Sequence, residues 1–464
     1  MTNIIEPLSV DVNNHNPSLL VATNSVRLTS CIRLLLITLA IIVGLCVIAS
    51  IISIVVVFTG RKTHILSDSF NTTSVMVSTD DVYTTAATRA ISSSASYTTQ
   101  IVTTEQLSTS VQTTNNNSKC QLLTFAPYTS ILAGYFPQSI TVNDFNGDNH
   151  SDIAIANRFG NNVAIFLGNG NGTFRKSTSI PTSSEPIFVT NADFNNDKKL
   201  DIAVVHHGSA SIGISLGFGN GTFAMPMNFS VGNSPYYAAV GNFNNDNYLD
   251  IVITNYDDNS TTVLINSQNN SFISSMNIST GSAPFGVIAA DFNNDNFTDT
   301  VVSNSNNDTV SMFLGYGNGT FHLPINSNTM TSPLGTAAGD FNGDYKLDLV
   351  VANVDDNSIS ILLGNNDGTF QTQIVYSTGI WPWSVATGDV DEDTYVDIVV
   401  ANSNSKFINV FLGYGNGTFR KAMNITTEAG PWDVAISDFN NDGRLDIVAL
   451  SSNYFTLNIL LNTC

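Results

Sequence analysis

Oxygen-bearing side chains recur at fixed spacing in seven nine-residue segments, the first running Asp144-Phe145-Asn146-Gly147-Asp148-Asn149-His150-Ser151-Asp152. Positions 1, 3, 5 and 9 carry the oxygens. That spacing lets a tight loop wrap a hard cation, with the backbone carbonyl of position 7 as a further ligand. The candidate ligand sets are Asp144, Asn146, Asp148, His150 and Asp152; Asp193, Asn195, Asp197, Lys199 and Asp201; Asn242, Asn244, Asp246, Tyr248 and Asp250; Asp291, Asn293, Asp295, Phe297 and Asp299; Asp340, Asn342, Asp344, Lys346 and Asp348; Asp389, Asp391, Asp393, Tyr395 and Asp397; Asp438, Asn440, Asp442, Arg444 and Asp446. Position 7 varies freely, as ligation through its carbonyl predicts. Position 4 is Gly or Asn in six of the seven copies, residues that tolerate a left-handed backbone. The alternative is a set of acidic turns without metal, but three carboxylates in nine residues repel one another unless a cation joins them. An EF-hand closes with a bidentate Glu at position 12, where this chain has Ile155 and its counterparts.

The formal charge is −21 over 464 residues, with only 11% of residues charged. This balance excludes nucleic acid, which proteins hold with clustered Lys and Arg. The acidic residues sit mostly in the loops, and seven divalent ions would bring −21 to about −7. The third loop, opening on Asn242, has lost a carboxylate; the sixth has gained Asp391 and Glu392. Extracellular calcium modules bind at roughly 0.1–1 mM, so such loops fill outside the cell rather than in resting cytosol.

The elements that position these loops follow from the period. Successive loops open 49 residues apart, and Pro137, Pro186, Pro235, Pro284, Pro333, Pro382 and Pro431 keep the same interval. One unit reads as four short strands: in the second copy A is Phe188 to Ala192, B is Ile202 to Val205, C is Ile212 to Leu216, and D begins at Thr222. Four strands per unit, seven times, predict an all-β, seven-bladed propeller over residues 120–464. The frame is permuted. The chain ends after the seventh strand C, and Thr124-Phe125 stands where the missing strand D belongs. An N-terminal strand that completes the last blade removes both open edges. In ring register Cys120 falls beside Cys464, which points to a disulfide that locks the ring in an oxidising compartment.

The DFNGDxxxD…LGNGNGTF pattern resembles the FG-GAP/VCBS-like repeats of the integrin α-chain N-terminal propeller and related surface proteins. The resemblance covers residues 120–464 and implies a seven-bladed propeller with calcium held between strands A and B. The chain lacks the GAP tripeptide, carries a calcium motif in every blade, and lacks further integrin-type domains.

Residues 34–58 hold no charge and are long enough to span a bilayer as an uncleaved signal anchor. Arg27 and Arg33 on one side and Arg61 and Lys62 on the other nearly tie for orientation. Residues 1–33 form a tail expected to be disordered and cytosolic, and 59–119 a disordered stalk that is close to half Ser and Thr between 63 and 119. Sequons at Asn71 and Asn116 lie in the stalk; Asn171, Asn220, Asn318 and Asn416 mark the C–D turn, and Asn228, Asn277 and Asn424 mark strand D. Their periodic placement puts the propeller on the lumenal, then extracellular, side of the plasma membrane.

Strand parity assigns the A–B loops and C–D turns to one face, and the D–A connectors and B–C loops to the other. Tyr236, Tyr237, Phe285, Trp381, Trp383 and Trp432 follow or precede the connector prolines. They are candidate contacts for an extracellular glycan or protein, or else blade-to-blade packing. The expected function is adhesion or recognition without catalysis. A lyase- or lipase-like enzyme on this scaffold and a ligand-free surface-coat protein are the alternatives. His206-His207 is the one pair suggestive of catalysis, and adjacent strand-end residues usually point apart.

Overall fold

The computed structural model describes residues 122–267 and 271–464, together with the backbone of residues 64–68, 72–79 and 82–89. Two compact units separate at residue 113. In the first, His64–Asp68, Thr72–Thr79 and Val82–Arg89 form a three-stranded antiparallel meander inside the stretch expected to be a disordered stalk. The same Thr and Val content that denies this stretch a core carries β-propensity. The tail, residues 34–58, Asn71, Asn116 and Cys120 lie outside the described residues. Among those described, no helix is long and apolar enough to cross a membrane.

The second unit is built of seven four-stranded antiparallel sheets, one per blade. Strands A to D of blade 1 are Pro137–Asn143, Asp152–Asn157, Asn162–Gly168 and Phe174–Pro181. In blade 7 they are Asp433–Ser437, Asp446–Ser451 and Thr456–Leu460, followed in space by Thr129–Leu132 from the start of the domain. That pairing, Leu457 opposite Ile131, closes the ring as the permuted frame predicts. The Thr463 N–H donates to Thr124 O (2.9 Å), and the Ala126 N–H donates to Leu461 O (2.8 Å). Cys464 takes part in a disulfide, with its partner outside the described residues.

Strands B and C are buried along nearly their whole length because both faces are covered by neighbouring blades. Strand A lines the axis. There the buried carboxylate of Asp433 ties blade 7 to its neighbours, accepting the Ile140 N–H of blade 1 (2.9 Å) and the Ser384 hydroxyl of blade 6 (2.7 Å). One expected boundary shifts. In blade 2 strand D begins at Met227 rather than Thr222, because only Phe223 bridges back to Gly217. Strand D starts at the equivalent residue in blades 4, 5 and 6, Ile325, Ile374 and Met423, whether or not a proline precedes it.

The blades are joined by aromatic edges. The residue at loop position 2 is buried and meets the phenylalanine that closes the C–D turn of the next blade edge-on: Phe145 with Phe223 at 5.8 Å, Phe194 with Phe272 at 5.7 Å, Phe243 with Phe321 at 5.4 Å. Phe292–Phe370, Phe341–Phe419 and Phe439–Phe174 continue the series. In the remaining joint, Val390 and Phe125 share a core cluster. Phe194→Ala is expected to cost about 3–5 kcal/mol in a denaturant titration. Phe218→Ala, at an exposed ring, should stay within about 0.5 kcal/mol. Equal losses would show that the joints do not govern stability.

Candidate metal centre

Each loop is tied down by its last residue. The position-9 carboxylate is fully buried in all seven blades. One oxygen accepts the N–H of position 2 (Phe145 to Asp152, 2.9 Å; Phe194 to Asp201, 2.9 Å), and the other accepts an N–H at the end of strand C (Gly168 to Asp152, 2.8 Å; Gly217 to Asp201, 2.8 Å). The same pair of bonds recurs at Asp250, Asp299, Asp348, Asp397 and Asp446. This cross-link was not foreseen, since the spacing argument counted position 9 only as a metal ligand.

The remaining loop oxygens point inward while accepting loop amides. Asp144 Oδ1 accepts the Gly147 N–H and its Oδ2 the Asn149 N–H, both at 2.7 Å. Asn146 Oδ1 accepts from Asp148 N–H (2.9 Å), and Asp148 Oδ1 accepts from His150 N–H (3.0 Å). Asn242 has a single side-chain oxygen; it accepts Asp246 N–H at 3.1 Å, and the Oδ2 bond to position 6 has no counterpart there. Left-handed backbone is needed twice per loop. Position 4 has positive φ in every copy, as its Gly/Asn content predicts, and so does position 6, including Lys198 (68°), Tyr345 (63°) and Thr394 (76°). Composition only half shows the second: Asn149, Asn247, Asn296 and Gly443 suit that region, whereas Lys, Tyr and Thr rarely adopt it. The side chain at position 7 also has a structural part. The side chains of His150, Phe297 and Tyr395 lie over Gly170, Gly317 and Gly415 of their own C–D turns, where any Cβ would overlap them.

The sixth loop is built differently. Asp389, Asp391 and Asp397 each offer an oxygen, all within 4.8 Å of one another, a group that could hold a metal ion. Asp391 does not cap the position-5 amide as the Asn of the other loops does. It is 4% exposed, and its Oδ1 is buried with no hydrogen-bond partner. A buried acceptor without a donor, aimed among carboxylates, fits a hard cation held by oxygen ligands. Burial, followed by the neighbouring carboxylates Asp393 and Asp389, pushes the Asp391 carboxyl up.

The remaining candidates fall elsewhere. Asn171, Asn220, Asn318 and Asn416 are exposed at C–D turns, where each Oδ1 accepts the N–H and hydroxyl of the Thr two residues on. Asp367 makes the same two bonds in blade 5, so they belong to the turn itself. Asn228, Asn277 and Asn424 are exposed on strand D. The aromatic set mostly packs together: Tyr236–Phe285 4.5 Å, Tyr237–Phe285 5.3 Å, Phe285–Trp383 5.7 Å and Trp383–Trp432 4.7 Å. Phe285 is 4% exposed, whereas Trp381 is 49% exposed. His206 is buried against Ser211 Oγ (3.2 Å), and burial lowers its pKa to about 4; His207 turns instead to the Tyr236 ring.

Burial, with nearby loop carboxylates adding to it and the two backbone amides opposing it, raises the position-9 Asp residues to about 6 in six blades. Asp397 reaches about 7. A carboxyl raised above its unfolded value favours the protonated fold, so metal-free stability should fall as pH rises from about 4 through 7. With a bound cation the order should reverse, because metal and proton compete for one oxygen set. Melting temperatures at pH 5 and pH 7.5, in chelator and in calcium, test both signs; the same slope in both buffers would contradict the assignment.

Comparison with known proteins agrees with this architecture. A search of curated proteins finds no match. Among solved structures the chain is similar to BBS1N, crystallised in complex with ARL6DN and soaked with lead, at 13% identity over 73% of this chain and 96% of that one, TM-score 0.54. It is also similar to a putative 6-phosphogluconolactonase from Bacteroides uniformis, at 15% identity, 68% and 95% coverage and TM-score 0.53. A putative 6-phosphogluconolactonase from Bacteroides fragilis follows at 16% identity, 64% and 86% coverage and TM-score 0.51. At such identities the likeness is one of fold. The FG-GAP-like repeat model matches residues 144–204, 193–253, 242–302, 291–351, 340–400 and 389–449. These overlapping matches span two thirds of the chain, which therefore belongs to the FG-GAP-like repeat family.

Proposed function

We propose that this chain is a calcium-loaded recognition or adhesion module, without catalytic activity, displayed outside the cell and tethered to the plasma membrane. The observation that carries the reading is the repetition of one oxygen-lined loop in all seven blades, with the unpartnered Asp391 Oδ1 among carboxylates in the sixth. Up to seven calcium ions would each be held by oxygens at positions 1, 3, 5 and 9 and by the carbonyl of position 7. The ions would neutralise the crowded carboxylates and hold the A–B loops against the C–D turns.

Residues 34–58 serve as a single signal anchor with the N-terminus cytosolic, and a Cys120–Cys464 disulfide locks the ring. Support for the disulfide comes from the closing register, in which Thr124 and Thr463 face each other with hydroxyls 3.0 Å apart. Glycans on Asn71, Asn116 and the periodic sequons accompany this placement. An extracellular glycan or protein would be met on the connector face. There the exposed Trp381, rather than the packed Phe285, Trp383 and Trp432, is the ring free to stack on it.

Thermal unfolding of residues 120–464 should rise by about 10 °C or more between chelator and millimolar calcium, because several sites bind the folded state alone. An unchanged melting temperature sinks the calcium reading. Trp381→Ala should abolish cell-surface or glycan-array binding with little change in melting temperature, while Trp383→Ala should lower stability by about 3 kcal/mol. Undiminished binding by the Trp381 variant would remove this ring from the ligand surface.

A further inference from the structure

Seven equivalent positions, each 49 residues from the next, follow the phenylalanine that closes the C–D turn: Ala126, Arg175, Ala224, Ile273, His322, Gln371 and Arg420. Only blade 6 combines a cation here with an Asp at loop position 3; blade 1 has Arg175 but Asn146. The pairing is visible in space. Arg420 Nη1 lies 3.5 Å from Asp391 Oδ2, and its Nη2 lies 3.6 Å from Asp393 Oδ2. Its guanidinium sits over the Tyr414 ring at 5.6 Å, and its backbone is fixed by the Arg420 N–H donating to Leu412 O (2.7 Å).

Other basic side chains pair with loop carboxylates, but from within the loop. Lys199, Lys346 and Arg444, at position 7, reach only the Asp at position 5 of their own segment. Arg420 comes from the segment after the C–D turn and bridges two carboxylates, one of them the buried Asp391 whose Oδ1 has no donor.

We propose that Arg420 is a tethered counter-ion of the sixth site: it compensates the extra carboxylate while no metal is present and yields when a divalent cation enters. The inference rests on the calcium reading and adds to it. The contacts are long and the side chain is 44% exposed, so the pairs are weak and screened, and a divalent ion inside the loop outcompetes them. Once the ion is bound, the guanidinium and the metal repel across a few ångströms. The arginine then opposes calcium at this site alone, and filling the site releases a cation beside the exposed Tyr414.

The test uses the full-length chain, purified in detergent, as wild type, Arg420→Gln, Asp391→Asn and the double variant. Thermal unfolding is read in chelator and across a calcium titration. Arg420→Gln should lower the chelator melting temperature by about 1–3 °C, since Asp391 and Asp393 lose their counter-charge. It should also reduce the calcium needed for half of the thermal shift at the sixth site about 3–10-fold. Both effects should shrink in the Asp391→Asn background. Equal shifts in chelator and calcium would make Arg420 a packing residue, and weaker calcium response in Arg420→Gln would make it a supporting group; either overturns the proposal. A wild type that ignores calcium fails the underlying reading instead, and the proposal falls with it.

Discussion

The buried carboxylate at loop position 9 is the constraint on which the rest of this ring depends. It accepts one amide from the start of its loop and one from the end of strand C, so the loop cannot drift from the sheet that carries it. With the loop held, the position-2 aromatic is presented to the next blade, where it meets the phenylalanine that closes the C–D turn edge-on. Its carbonyl accepts the N–H of the second turn glycine in that blade, as between Phe145 and Gly221 (3.0 Å) and between Phe341 and Gly417 (2.8 Å). A glycine is needed at that place because a leucine of the preceding blade, Leu167 against Gly221 and Leu363 against Gly417, occupies the space a Cβ would take. One repeat motif therefore builds the acidic loop and the joint between blades together.

The architecture was legible because its signal is periodic. A constant 49-residue interval, a proline series in the same phase and a displaced Thr-Phe at the start of the domain were enough to place seven blades and the closing strand. The nine-residue loops between strands A and B were placed by the same period. What stayed hidden depends on backbone shape rather than residue type. Position 6 adopts the left-handed region even with Lys198, Tyr345 and Thr394, and strand D of blade 2 starts late because the chain leaves the ladder between Phe223 and Met227. Arg420 was hidden because its partners lie about 30 residues upstream on another element.

The connector aromatics show how the same residues can support two readings until packing separates them. Tyr236, Tyr237, Phe285, Trp383 and Trp432 stand where strand A lines the axis, and Phe285 belongs to a core cluster with Leu334 and Val354. Rings from blades 3, 4, 6 and 7 thus fill the middle of the propeller. Trp381, one residue before its proline, escapes that packing because its backbone has positive φ (57°) and its N–H is held by Asn357 Oδ1 (2.9 Å). Aspartates of the neighbouring B–C loops, such as Asp258 and Asp356, likewise cap connector amides. Much of the connector face is in this way committed to holding itself together.

The central claim is that all seven loops are metal loops within one closed ring. The most direct measurement is native mass spectrometry of the intact propeller after equilibration in calcium and exchange into a volatile buffer. About seven bound calcium ions, falling by one in an Asp193→Ala variant, is the result this account predicts. A protein mass with no bound metal under conditions that preserve the fold would contradict it.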